Sequence, residues 1–275
     1  MKLLLPLLFS LSLAAPAATQ QAMFTDAATQ HSSGVFLVRT VGMYERFDDD
    51  NDLGLDRQID DYTLRTTLFY GVTRDFALSL VQPVRERDGG ANGESAFGFD
   101  DTMLMAKYRF YTNDFGPIDT ARFSLIGGAS VPTGVDAFTS DSVDPMFGGV
   151  FTLITGRHGF NADAIYRLNS GDDDEAYVRP GSGPFDALRL DANYLYRLYP
   201  SQFNAANSGG SYYAFTEANG VYETSGDTEL MLAAGLMYEG SDVALEFGVR
   251  LPVYSDVDER PEERLGIGFG VRLLF

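Results

Sequence analysis

The last twelve residues, RLGIGFGVRLLF, alternate between apolar side chains and side chains that are small or charged. In an extended chain, one side would carry Leu265, Ile267, Phe269, Val271, Leu273 and Phe275. The other side would carry Arg264, Gly266, Gly268, Gly270 and Arg272. Because successive side chains of a strand point to opposite faces, this period of two predicts a β-strand with one apolar face.

The same alternation recurs in about twelve segments, each near the roughly 9–11 residues that a tilted strand needs to cross a bilayer. The segments cover 35–46, 61–72, 75–85, 99–111, 120–132, 146–155, 159–169, 186–199, 211–222, 229–239, 242–252 and 264–275. Sheet edges cannot stay unpaired in hydrocarbon, so the strands must close on themselves. The pattern predicts an all-β protein, a single closed antiparallel transmembrane β-barrel of about 12 strands over 35–275. A soluble β-sandwich is the alternative.

The connections between these segments differ in length. GVTRD, TGRHG and EGSD are tight turns, whereas RFDDDNDLGLDRQID and SGDDDEAYVRPGSGP are long and acidic. The long connections occupy the odd-numbered positions in chain order, which is the arrangement of an outer-membrane barrel with both ends in the periplasm.

The two ends of the chain also indicate export to the cell outer membrane. Residues 1–17 combine Lys2, an apolar run and small residues, so we expect a signal peptide that is cleaved. Residues 18–34 would then form an N-terminal periplasmic segment. A final strand that ends in Phe275 resembles the signal that the barrel-assembly machinery reads, and lipid would surround the barrel.

The negative net charge of the chain limits the kinds of molecule that it can bind. The formal net charge of −19 excludes nucleic acid, whose phosphates would be repelled. Much of that charge lies in the long connections, where acidic groups could bind divalent cations near lipopolysaccharide. Weak candidates for metal ligands are Asp48, Asp50, Asp52, Asp172 and Asp174. The more ordinary interpretation of these residues is a solvated loop face, and no metal or other cofactor is expected.

The face opposite the apolar stripe is rich in arginine. The candidates for lining the lumen are Arg65, Lys107, Arg109, Arg122, Arg167, Arg189, Arg197, Glu217, Glu246, Arg250 and Arg272. They could form an ion-pair network that makes a nearly filled barrel rigid. They could instead line a pore for small anionic or aromatic solutes, since a guanidinium pairs with carboxylates and stacks on rings.

Enzyme signatures are scarce. The chain has two histidines, His31 before the first strand and His158 in a tight turn, neither of them at the outer rim. It contains no GxSxG or HExxH motif and no phosphate-binding glycine loop. We therefore expect a protein that is not an enzyme.

Several fragments occur in an order typical of one family: FYGVTRDFALSLVQPV, GFDDTMLMAKYRFY, SLIGGASVPTG and YRLNSGD. Over about residues 60–275 the chain resembles the outer-membrane family "putative MetA-pathway of phenol degradation", also called transporter-like barrels. Asp100-Asp101 stands where Gly-Asp is commoner. The resemblance implies a barrel that passes hydrophobic or aromatic compounds.

These observations favour a channel for passive passage of small solutes, aromatic or anionic in character. The alternative is a plugged structural or interaction barrel whose acidic outer loops bind cations, lipopolysaccharide or another surface.

Overall fold

The computed structural model describes residues 20–50, 56–89, 95–171, 178–202 and 209–275. In these ranges the chain forms thirteen antiparallel strands and no helix that is long and apolar enough to cross a membrane. The strands are β1 (Phe36–Asp50), β2 (Asp56–Gly71), β3 (Phe76–Asp88), β4 (Ala96–Phe99), β5 (Thr102–Asp114), β6 (Thr120–Val131), β7 (Asp144–Thr155), β8 (His158–Arg167), β9 (Ala187–Tyr199), β10 (Ser211–Glu223), β11 (Thr228–Glu239), β12 (Val243–Asp256) and β13 (Glu262–Leu274).

The sheet closes on itself. Except for β4 and β5, strands that are neighbours in the chain pair with each other, and β1 also pairs with β13, from Leu37 opposite Leu274 to Asp48 opposite Glu262. Both β4 and β5 pair with β3, so they form one wall strand interrupted at Asp100-Asp101. The result is a closed antiparallel barrel of twelve wall strands, which confirms the predicted fold class.

Burial in this barrel is the reverse of burial in a soluble sheet protein. On β12 the carboxylate of Glu246 is buried (2 % exposed), while its neighbours Leu245 and Phe247 are 40 % and 47 % exposed. Polar side chains therefore point to the interior and large apolar ones to the outside, as a membrane barrel requires. Exposed aromatic residues lie near both ends of the wall: Phe36, Tyr70, Tyr199 and Tyr212 at one, and Tyr62, Phe97, Tyr222 and Tyr254 at the other.

The two ends of the barrel differ in their connections. The turn end holds the start of β1, the end of β13 and the connections 72–75, 115–119, 156–157, 200–210 and 240–242. The loop end holds the connections 51–55, 89–95, 132–143, 168–186, 224–227 and 257–261. The strands reach further towards the loop end than the alternation indicated.

The first acidic connection is mostly strand. The sequence places a loop over 46–60, yet β1 continues to Asp50 and β2 begins at Asp56. The pairing of β1 with β2 continues beyond the apolar part of the two strands. Acidic side chains are compatible with strand structure there because water surrounds the loop end. Asp61, the first residue of the predicted segment 61–72, is fully buried at this level of the barrel.

Candidate functional site in the barrel lumen

Residues 20–31 lie inside the barrel. The segment starts beside Gly159 and returns to Gly71, both at the turn end, before β1 begins. Ala22, Thr25, Ala27 and Ala28 are 0 % exposed. The sequence placed 18–34 in the periplasm because the segment has no strand pattern. In the structure residues 20–31 instead occupy the lumen, and the signal peptide expected at 1–17 lies outside the described residues.

Glu217 on β10 holds the middle of this lumenal segment. Its carboxylate accepts hydrogen bonds from the backbone N–H groups of Met23 (2.9 Å), Phe24 (3.0 Å) and Thr25 (2.8 Å), and from the Thr25 hydroxyl (2.8 Å). Four donors around one carboxylate replace the water that this anion loses in the lumen.

Other wall residues bind the rest of the segment. The Lys107 ammonium donates to the Ala27 carbonyl (2.8 Å). Arg272 donates to the Gln21 carbonyl (2.7 Å), and Arg39 donates to the Met23 carbonyl (2.8 Å). Because a segment without secondary structure must satisfy its backbone elsewhere, these wall contacts are what allow it to be buried.

The glycines of β13 make room for the segment. A Cβ atom added at Gly268 would lie 2.3 Å from the Met23 sulfur, and one added at Gly270 would lie 2.4 Å from Glu246 Oε1. A larger residue at either position would displace the groups that fill the lumen. The inner face of β13 therefore carries glycines because Met23 and Glu246 lie directly against it.

A chain of ion pairs lies at the loop end of the lumen. Arg179, from the connection between β8 and β9, reaches inward and pairs with Asp61 (2.7 Å) and with Glu45. Asp61 also pairs with Arg85 (2.6 Å), and Glu45 pairs with Arg250 (2.7 Å). We call Arg85, Asp61, Arg179, Glu45, Arg250 and Glu263 the loop-end ion network.

Electrostatics favours the charged form of Arg179. Burial alone would lower the pKa of this guanidinium, but Asp61 and Glu45 outweigh that effect and raise the pKa above its ordinary value. Arg179 lies in a Gly/Pro-rich connection without strand alternation, so its inward direction could not be predicted from the sequence.

Between the lumenal segment and Arg179 lies a cavity of about 350 Å³. A second space of about 120 Å³ adjoins it and shares Arg65, Met103, Arg179 and Pro180. The strands from β1 to β8 line the larger cavity with many apolar groups: Val41, Met43, Phe69, Val81, Met103, Met105, Ile126, Met146 and Ile165. The same strands also contribute the charged residues Arg39, Glu45, Arg65 and Lys107. The strands from β9 to β13 contribute polar and charged groups: Arg189, Asp191, Asn219, Glu229, Arg250 and Glu263.

The charges around the cavity nearly cancel. Its lining includes six basic side chains and five carboxylates. His31 also lines it, but burial, with Lys107 and Arg272 nearby, lowers the histidine pKa to about 4, so the ring is neutral at pH 7. The predicted lumen residues include more arginines than acids, and inward carboxylates that are not among them, such as Glu45 and Glu263, supply most of the difference.

The predicted lumen residues fall into four groups. Lys107, Glu217, Glu246 and Arg272 contact the lumenal segment or the side chains that hold it, and Arg189 pairs with Asp26 and Asp191. Arg250 belongs to the loop-end ion network, and Arg167 pairs with Asp144 nearby. Three arginines lie near the turn end: Arg109 beside Asp75, Arg122 beside Asp114, and Arg197 beside the Pro200 carbonyl. Arg65 faces the cavity.

The candidate metal ligands do not come together within the described residues. Asp48 pairs with Arg264 (3.0 Å), and Asp50 ends β1. The other three candidates, Asp52, Asp172 and Asp174, lie outside the described ranges. Across the ranges that the structure covers, no group of three or more carboxylate or histidine side chains could hold a metal ion.

The fold is also found in a solved structure. An outer membrane channel from Pseudomonas putida F1 superposes with a TM-score of 0.60 at 12% identity, over 90% of this chain and 98% of that one, and at this identity the likeness is one of fold alone. The β domain of the Bordetella autotransporter BrkA superposes with a TM-score of 0.49 at 14% identity, over 89% of this chain and 100% of that one.

Sequence comparison identifies the family. No curated protein matches the chain. The model of the family described as "Putative MetA-pathway of phenol degradation" matches residues 28–273, nearly the whole barrel and part of the lumenal segment. This match confirms the resemblance seen in the motifs, and the chain belongs to that family.

Proposed function

We propose that this protein is an outer-membrane channel for passive passage of small solutes, aromatic or anionic in character, and that it is not an enzyme. The observation that carries the proposal is the cavity of about 350 Å³ inside the barrel, which wall residues line and which lies between the lumenal segment and Arg179 of one inward connection. Both boundaries are single stretches of chain held by polar contacts. Their displacement would open a continuous path.

The outer surface supports a location in the outer membrane. Leu104, Leu125, Leu236 and Phe269 are about half exposed on the outside of the wall. An apolar surface of this kind, flanked by aromatic residues, suits a bilayer and would aggregate in water. We also infer contact with lipopolysaccharide at the loop end and assembly through the last strand, where Phe275 is 72 % exposed.

Planar-bilayer recording of the purified full chain tests the channel. Discrete current steps are expected, and reversal potentials in a salt gradient should show whether anions are preferred. Persistent silence would favour the alternative, a plugged structural barrel. The hydrogen bonds between Glu217 and the lumenal segment are the specific observation behind that second candidate.

Replacing Glu217 by Ala should raise the mean current severalfold, because the lumenal segment loses four hydrogen bonds, each worth about 1.5–3 kcal/mol when one partner is charged. Thr216→Ala is the matched control, since its side chain is next in the chain but lies on the outer face. Equal currents for both variants would show that the segment does not limit conduction.

The orientation of the barrel can be tested with protease sites. A cleavage site inserted at Asp136, in the loop-end connection 132–143, should be cut on intact cells. A site inserted at Gly156, in the turn between β7 and β8, should be protected because the turn end would face the periplasm. The reverse pattern of cleavage would invert the proposed topology.

A further inference from the structure

Arg65 differs from the other basic residues around the cavity. Arg39 pairs with Glu246, Arg189 with Asp191, and Arg179 and Arg250 with carboxylates of the loop-end ion network. Lys107 is bound to the Ala27 carbonyl. Within the described residues, the Arg65 guanidinium has no ion pair and no hydrogen bond, although it lines both the larger and the smaller cavity.

The ion pairs around the cavity account for this difference. Arg39, Arg179, Arg189 and Arg250 are each matched by a carboxylate, which leaves Arg65 as the guanidinium of the lining whose charge no ion pair among the described residues offsets. The Arg65 side chain is exposed to the space inside the lumen, so an anionic group that enters the cavity could bind its guanidinium directly through charged hydrogen bonds. A ligand with a single negative charge would therefore match the Arg65 guanidinium.

The apolar residues on the same side of the cavity as Arg65 indicate what such an anion would carry. Six of the eight methionines of the chain line the cavity, and four of them lie on β1, β5 and β7. Inward apolar residues are unusual on the otherwise polar inner face of a membrane barrel. Flexible, polarisable thioethers suit an apolar body whose shape is not fixed, and they make favourable contacts with rings.

We propose that the cavity binds a small organic monoanion, with its anionic group on Arg65 and its apolar body against the methionine side of the lumen. The volume of about 350 Å³ lies in the range of roughly 300–1,000 Å³ that is usual for small-molecule sites. This inference rests on the proposed channel, since it places a binding site on the path that the solute would take through the lumen.

Calorimetric titration of the purified full chain with benzoate tests the site. Benzoate should bind at least about tenfold more tightly than acetate, which has the charge without the body, and than benzyl alcohol, which has the body without the charge. Arg65→Gln should weaken benzoate binding about tenfold or more, the usual effect of losing a charged hydrogen bond. Arg65→Lys, which keeps a point charge, should retain part of the affinity.

Arg74→Gln is the control, because Arg74 is exposed in the turn between β2 and β3, away from the cavity. The urea midpoint of Arg65→Gln should equal that of the parent, since no partner of Arg65 is lost among the described residues. Equal benzoate affinity in the parent and in Arg65→Gln, or equal affinity for benzoate and acetate, would overturn the site.

The same preparation, recorded in bilayers, separates this proposal from the channel itself. Current steps without Arg65-dependent benzoate binding would refute the site and leave the channel standing. Arg65-dependent binding without current would support the site and refute the channel.

Discussion

Asp61→Asn should lower the free energy of unfolding by about 3–5 kcal/mol, the usual loss when one partner of a buried ion pair is removed. Asp61 is fully buried and pairs with Arg85 (2.6 Å) and Arg179 (2.7 Å), and it lies 3.5 Å from Arg87. An amide in its place would leave these three cations without their shared anion. Urea titration of the protein in detergent micelles, followed by tyrosine fluorescence, measures the loss.

Asp60→Asn is the matched control for this change. Asp60 precedes Asp61 but points to the other face, where it pairs with the half-exposed Arg46 (3.2 Å). Exposed ion pairs contribute about 0–1 kcal/mol, so this variant should unfold almost like the parent. Similar losses for the two variants would show that the loop-end ion network does not stabilise the barrel.

Phe269→Arg should prevent most of the chain from assembling. Phe269 is 54 % exposed in the middle of β13, between Gly42 on β1 and Phe247 on β12. An arginine that faces lipid near the bilayer midplane costs about 2–4 kcal/mol. The yield of folded barrel, separated by its heat-dependent mobility in electrophoresis, should drop at least severalfold.

Phe269→Leu keeps the apolar surface and should assemble at the parent yield. If Phe269→Arg assembled equally well, the outer face of β13 would not be in contact with lipid, and the inside-out pattern of burial would need another explanation.

The alternation along the chain predicted the barrel because it is a local property. Within each strand, the alternation alone indicates which face meets lipid. Leu245 and Glu246 are adjacent in the chain, yet the first is exposed on the outside and the second is buried inside. The inward direction of residues such as Glu217 followed from the same period. Strand ends were less well predicted, since β1 and β2 extend to Asp50 and Asp56, where both faces are polar.

The contents of the lumen could not be predicted in this way. Residues 20–31 have no period, and their partners lie far along the chain: Glu217 is 194 residues from Met23, and Arg272 is 251 residues from Gln21. The only indication in the sequence was the pair of inward glycines at 268 and 270, because a glycine on the inner face suggests that another group packs closely against the strand. The inward direction of Arg179 could not be predicted, since a residue in a connection between strands does not follow the alternation of inward and outward side chains.

The lumenal segment also has a consequence for how long an opening can last. Only residues 31–35 join Gln30, whose side-chain amide donates to the Lys107 carbonyl, to the start of β1. A tether this short keeps a released segment at a local concentration of the order of millimolar around its own binding groups. Openings should therefore be brief and frequent, and a free peptide copy of residues 20–30 at micromolar concentration should not compete. Within such a barrel, the duration of each opening is set by the length of the tether.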